Sequence, residues 1–145
     1  MSSSHLHSVS VAAVIVDDAG RVLLTRRRDN GRWEPPGGVL EPGESIIQGL
    51  EREIAEETGL RISAGELTGV YKNMTQAIVA LVFRCTVRDG TLRTNDEVSD
   101  FRWMTLDEVR AELDEAYAVR VADALRGGAT AVRAHDGHRL IATSV

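Results

Sequence analysis

Residues Gly38 to Leu60 read GVLEPGESIIQGLEREIAEETGL, a loop followed by a helix. Ser45 and Gln48 match a capping box, S-x-x-Q, in which side chain and backbone exchange hydrogen bonds at a helix start. Ile47, Leu50 and Ile54 recur at helical spacing and predict an apolar stripe. Gly59 suits the left-handed backbone of a helix C-cap. At about 100° per residue, Glu53, Glu56 and Glu57 fall within an arc of roughly 100° beside that stripe. Docking the stripe on a sheet would hold three carboxylates along the edge of the contact, facing a cleft.

A glutamate-rich helix face is ordinarily a solvated one. Here it would be a poor choice for stability alone. Glu53 and Glu57 are a like-charged i,i+4 pair, which costs roughly a few tenths of a kcal/mol, and the cluster lies toward the negative end of the helix dipole. A divalent cation resolves the conflict. Hard oxygen ligands on one side suit Mg²⁺, with Mn²⁺ as a substitute, keeping several waters and sharing phosphate oxygens with a substrate. Arg52, four residues before Glu56, is either a surface ion pair or the group that orients a catalytic carboxylate.

Outward from this helix, the chain alternates strands with helices. Val9 to Val16 is a continuous apolar run, the pattern of a strand buried on both faces. Asp17 to Gly20 signals a turn into a second strand, Val22 to Thr25, and so a hairpin. Glu34-Pro35-Pro36-Gly37-Gly38 is backbone unsuited to helix. Strands are expected over Glu66 to Tyr71, Ala77 to Val87 and Phe101 to Met104, with a turn at Asp89-Gly90. Thr105 caps a second helix reaching about Leu113, and a third covers Tyr117 to Leu125. Residues 129–142 alternate weakly around Asp136-Gly137, a candidate C-terminal hairpin. Short turns between neighbouring strands exclude a purely parallel sheet. The expected class is α/β (α+β by some schemes), a mixed sheet between helices. A single domain over residues 9–145 follows a flexible leader, residues 1–8.

Composition agrees with one folded domain. The chain has 145 residues, 43% apolar and 27% charged, with net charge −5. That balance argues against a dedicated nucleic-acid binder, which carries a basic footprint, but not against phosphate substrates held through a cation. The single cysteine, Cys85, lies in an apolar run and is expected to be a buried, inert thiol. No apolar run approaches a membrane span. The start of the chain lacks a signal-peptide pattern, so a cytoplasmic location is expected. His5 and His7 sit in the polar leader, where fraying is expected rather than metal binding.

The 38–60 segment resembles the Nudix box, G-x5-E-x7-R-E-U-x-E-E-x-G-U, where U is apolar. Gly38, Glu44, Arg52, Glu53, Ile54, Glu56, Glu57, Gly59 and Leu60 fill every fixed position. Pro36-Gly37 before the box and Trp103 ahead of the Thr105 helix start are also similar to the family. The resemblance implies a Nudix-type α/β/α sandwich and a MutT-like pyrophosphohydrolase acting on a nucleoside diphosphate linked to another group. By position, it makes Glu53, Glu56 and Glu57 metal ligands, with the Gly38 carbonyl as a further one and Glu44 a brace between loop and helix. One of these glutamates, or a later carboxylate, would be the general base. Glu97, in the loop before the Phe101 strand, is the candidate for that extra metal-binding or basic carboxylate, or else a surface residue. Arg26, Arg27 and Arg28 end the second strand. Alternation places Arg26 and Arg28 on one face and Arg27 on the other, and at least one could reach phosphate; a solvated basic edge is the other reading. Trp33 either stacks on a base or packs beneath the Pro-Gly loop.

The box does not name the substrate. Branch markers for typical ADP-ribose, NADH and dinucleoside polyphosphate hydrolases are missing. By elimination and small size, a (deoxy)nucleoside triphosphate or modified nucleotide is the first expectation, and ADP-ribose or another nucleoside diphosphate sugar the second. A non-catalytic nucleotide-sensing domain is the contrasting class; the complete box and the lack of room for a helix-turn-helix module speak against it. A homodimer is left open.

Overall fold

The computed structural model describes residues 5–142; residues 1–4 of the expected leader lie outside the described part. The elements in order are β1 (Ser8–Ile15), β2 (Val22–Arg27), β3 (Trp33–Glu34), β4 (Gly37–Val39), α1 (Ile46–Thr58), β5 (Leu60–Asn73), β6 (Ile78–Gly90), β7 (Val98–Met104), α2 (Leu106–Glu112), α3 (Glu115–Arg126), β8 (Ala131–His135) and β9 (Leu140–Ile141). Six strands form a mixed sheet in the order β4-β1-β6-β5-β8-β9, and three form a smaller one, β3-β2-β7. β1 runs parallel to β6 and antiparallel to β4. β8 runs parallel to β5, and β9 folds back antiparallel on β8.

β1 shows why its sequence is apolar throughout. Val11, Ala13 and Ile15 face one core with Leu23, Leu50, Ile54 and Phe83. Ala12, Val14 and Val16 face a second core with Leu24, Tyr71, Met104, Val109 and Val121. Helix α1 covers the first face and α2 with α3 the second, so the strand alternates between two dry layers. Cys85 is buried in the first core.

Several local expectations need correction. β1 and β2 share only one bridge, Val16 with Val22. The Asp17 carboxylate accepts the N–H groups of Ala19 and Arg21, and the turn it forms sends β2 into the smaller sheet, beside β7. β5 begins at Leu60, directly after the helix cap, and β6 continues through Asp89-Gly90, where Asp89 pairs across the strands with Arg61 at 2.8 Å. α3 begins at Glu115, two residues before the expected start. On α1, Leu50 and Ile54 are fully buried but Ile47 is 40% exposed. The buried face turns instead through Gly49 toward Glu57 and Thr58, a rotation with direct consequences for chemistry.

Candidate functional site

The Ser45 capping box and the Gly59 cap, at φ +83°, fix the ends of α1. Leu50 and Ile54 fix its rotation. The result places Glu53, Glu56 and Glu57 on a cleft of about 700 Å³, together with Gly37 and Gly38 of β4. Arg27, Arg28 and Asp29 at the end of β2 form another wall, and Asn95, Asp96 and Glu97 from the loop before β7 a third.

The three helical glutamates have different surroundings. Glu56 is exposed. Glu53 is partly buried; burial pushes its pKa up, Arg52 opposes that, and Glu56 and Glu97 add to it. Glu57 is 9% exposed. Its carboxylate accepts a hydrogen bond from Thr25 Oγ1 at 3.2 Å. Burial first, and the nearby Glu34 carboxylate second, push its pKa up to about 8. Glu34 is itself pushed up by burial, with Arg27 opposing.

Arg52 acts as a hub. It grips Glu44 with two nitrogens, Nε at 2.8 Å and Nη2 at 2.6 Å, the fork geometry that suits carboxylates. Its Nη1 reaches Glu53 at 2.9 Å and Glu56 at 3.2 Å, and Nη2 also donates to the Val39 carbonyl. Hydrogen bonding by Arg52, then by the Glu41 amide, draws the Glu44 pKa down to about 2. Glu44 thus ties the loop to the helix, in the bracing position.

The arginine triplet departs from strict alternation. β2 ends at Arg27, and Arg28, beyond the strand and its alternation, lines the cleft together with Arg27. Arg26 does not: it donates to the Gly31 carbonyl and lies over the Trp33 ring. Arg102 covers that ring at 5.7 Å, and the half-buried Trp33 packs against the second core. Arg27 is anchored by Asp29 and Glu34, and Arg28 donates to the Asn95 carbonyl at 2.7 Å.

Sequence inspection passed over Glu34, Thr25 and Asn95. Glu34 was legible only as part of a rigid loop, and nothing in the local sequence pairs Thr25 with a glutamate thirty-two residues away. Asn95 is an unmarked loop residue until the fold sets it against the end of α1.

The donor set fits a divalent cation in kind. The wall is rich in hard carboxylate oxygens, and one of them, on Glu57, is buried without a cationic partner. A Cβ on Gly38 would overlap the Glu53 carboxylate as it stands, so the glycine is what lets that carboxylate lie close to β4. Among the described residues no three such groups stand pre-assembled around one point; Arg52 draws Glu53 and Glu56 toward itself and Thr25 holds Glu57.

A family model described as the NUDIX domain matches residues 6–124. A MutT-like protein of Streptomyces ambofaciens is 54% identical over 140 residues, covering 97% of this chain and 91% of its own. An ADP-ribose pyrophosphatase of Methanocaldococcus jannaschii is 30% identical, covering 72% of this chain and 66% of its own. A nucleoside triphosphatase NudI of Salmonella enteritidis is 29% identical, covering 81% and 96% respectively. No helix among the described residues is long and apolar enough to cross a membrane.

Proposed function

From the premise that this chain belongs to the Nudix hydrolase family and is a pyrophosphohydrolase, we propose that it cleaves the diphosphate linkage of a (deoxy)nucleoside triphosphate or modified nucleotide. One observation carries the assignment to this cleft: Glu53, Glu56, Glu57 and Glu97 line the same cavity as Arg27 and Arg28. An acidic wall alone would repel a diphosphate, and a basic wall alone would bind it without activating water.

Nudix hydrolases use divalent metal ions. We assign Glu53, Glu56, Glu57 and Glu97, with the Gly38 carbonyl, to hold Mg²⁺, with Mn²⁺ able to replace it. When bound, the cation neutralises phosphate charge and acidifies water. Arg27 and Arg28 take the phosphate oxygens that the acidic wall does not; the Asp29 and Glu34 contacts keep Arg27 from swinging away. Arg52 orients Glu53 and is a positioning residue. Among the described residues, the Glu97 carboxylate has no hydrogen bond or ion pair, so it is free to turn toward the attacking water and accept its proton.

A nucleoside diphosphate sugar is the second reading, favoured by the similarity to an ADP-ribose pyrophosphatase. A phosphate-release screen over nucleoside triphosphates, sugar nucleotides and dinucleotides, with Mg²⁺ and Mn²⁺, separates the two. Highest kcat/KM on triphosphates is expected; a sugar nucleotide at the top would replace the first reading with the second. No turnover of any diphosphate would overturn both.

A further inference from the structure

A second cavity, of about 280 Å³, opens between α3 and the large sheet. It shares Arg27, Glu34 and the Gly37–Val39 strand with the carboxylate cleft, so one molecule can occupy both. Its wall carries Arg120, which is 8% exposed.

Arg120 lacks an acceptor. Its guanidinium carbon lies 5.1 Å from the Tyr71 ring centre and 4.7 Å from that of Tyr117. Its Nε is buried with no hydrogen-bond partner, and no carboxylate among the described residues lies within ion-pair distance. Glu34 lines the same cavity but stands beyond ion-pair distance, and among the described residues the contact at hydrogen-bond distance is His135 Nε2, at 3.4 Å from Nη2. That neighbour is not an acceptor either. His135 Nδ1 accepts the Gly137 N–H at 3.0 Å, so in the neutral ring the proton sits on Nε2. Two donors therefore face each other. A buried guanidinium that stays charged is costly without a partner, and both donors are left for an acceptor the chain does not supply.

The other walls narrow its nature. Ile78, Ala80 and the half-buried Tyr117 ring give a flat, partly apolar lining, which suits a ring rather than a further phosphate. The Glu34 carboxylate at the mouth disfavours another anion. We propose that this cavity seats the nucleobase, and that Arg120 with His135 selects a base presenting a carbonyl at the purine 6 or pyrimidine 4 position. Guanine, uracil and thymine offer that acceptor. Adenine and cytosine put an amino group there, donor against donor, and leave the buried groups unpaired. The inference rests on the adjoining cleft as the diphosphate site.

The test has two arms. In the first, binding of GMP, UMP, AMP, CMP and inorganic phosphate to the metal-free protein is followed by calorimetry. In the second, kcat/KM is measured with Mg²⁺ for GTP, UTP, ATP and CTP. A preference of about tenfold or more for the keto bases is expected in both. Arg120→Met should bring the keto-to-amino ratio near one and raise the metal-free melting temperature, because an unpaired buried charge is gone. Arg120→Lys, which keeps the charge but not the fork, should lower the ratio in part, and serves if the first variant does not fold. Keto preference in binding without triphosphate turnover would sink the triphosphate reading while supporting the base site. Turnover without base preference, or an equal loss on all four bases in Arg120→Met, would overturn the base site alone. So would Arg120-dependent binding of phosphate by itself.

Discussion

The side-chain amide of Asn95 donates to the backbone carbonyl of Glu57 at 2.7 Å, fastening the loop before β7 to the C-terminal end of α1. The same side chain accepts the N–H groups of Glu97 and Val98 through Oδ1. One residue thus satisfies an orphan helix carbonyl and sets where Glu97 stands relative to the other glutamates. Asn95→Ala should lower kcat by about 10–100-fold, the usual range for a group supporting a metal ligand. In a Glu97→Gln background the same change should cost much less, since the residue acts through Glu97. Equal losses in both backgrounds would show that Asn95 serves only the helix end.

Glu57→Gln should separate folding from catalysis. With its carboxyl pushed up to about 8 by burial and Glu34, the folded chain keeps a proton that the unfolded chain releases near the ordinary 4.5. This contribution to stability is full below pH 4.5 and is lost as pH rises through 8. In metal-free buffer, Glu57→Gln should match the parent at pH 5 and melt several degrees higher at pH 8. Turnover should fall by orders of magnitude, because an anionic ligand is gone. A variant that melts lower and still turns over would make the cluster structural.

Adjacent glycines should fail in different ways. A Cβ on Gly37 would meet the Val11 carbonyl and lie 2.7 Å from Ala12 Cα, both backbone. Gly37→Ala should therefore part β4 from β1 and lower the melting temperature. The three atoms nearest a Cβ on Gly38 all belong to the Glu53 carboxylate, which can swing aside. Gly38→Ala should fold nearly normally and lose most activity. Circular dichroism melts beside initial rates distinguish the two.

Chelation should abolish turnover and Mg²⁺ should restore it. Hydrolysis in ¹⁸O-labelled water should place the label on a phosphate product. Full activity after exhaustive metal removal, or label on carbon alone, would contradict the assigned chemistry.

The helix, its caps and its carboxylate edge were legible in the sequence because each depends on residues a few positions apart. The Ser45 box, the Gly59 cap and the Arg52–Glu56 pair all stand where spacing put them. What spacing could not show depends on distant contacts. Ile47 is exposed because the core contacts of Leu50 and Ile54 rotate α1 toward Glu57. Arg28 joins Arg27 on the cleft because β2 stops at Arg27, an end that a run of arginines does not mark. The surroundings of Glu57 and Arg120 are assembled from strands and helices far apart in the chain, so neither the raised carboxyl nor the unpaired guanidinium has a local signature.

The parallel pairing of β1 with β6 and the pairing of β2 with β7 join segments separated by about seventy residues or more. Such non-local contacts form late, since the intervening chain must close first. On the ribosome, α1 with all its glutamates emerges before either partner strand exists. A nascent chain ending before residue 98 carries the whole motif and the loop of Asn95 and Glu97, yet lacks β7, the strand that anchors that loop. Turnover should therefore switch on abruptly during synthesis, when β7 docks, rather than grow with the length of helix made.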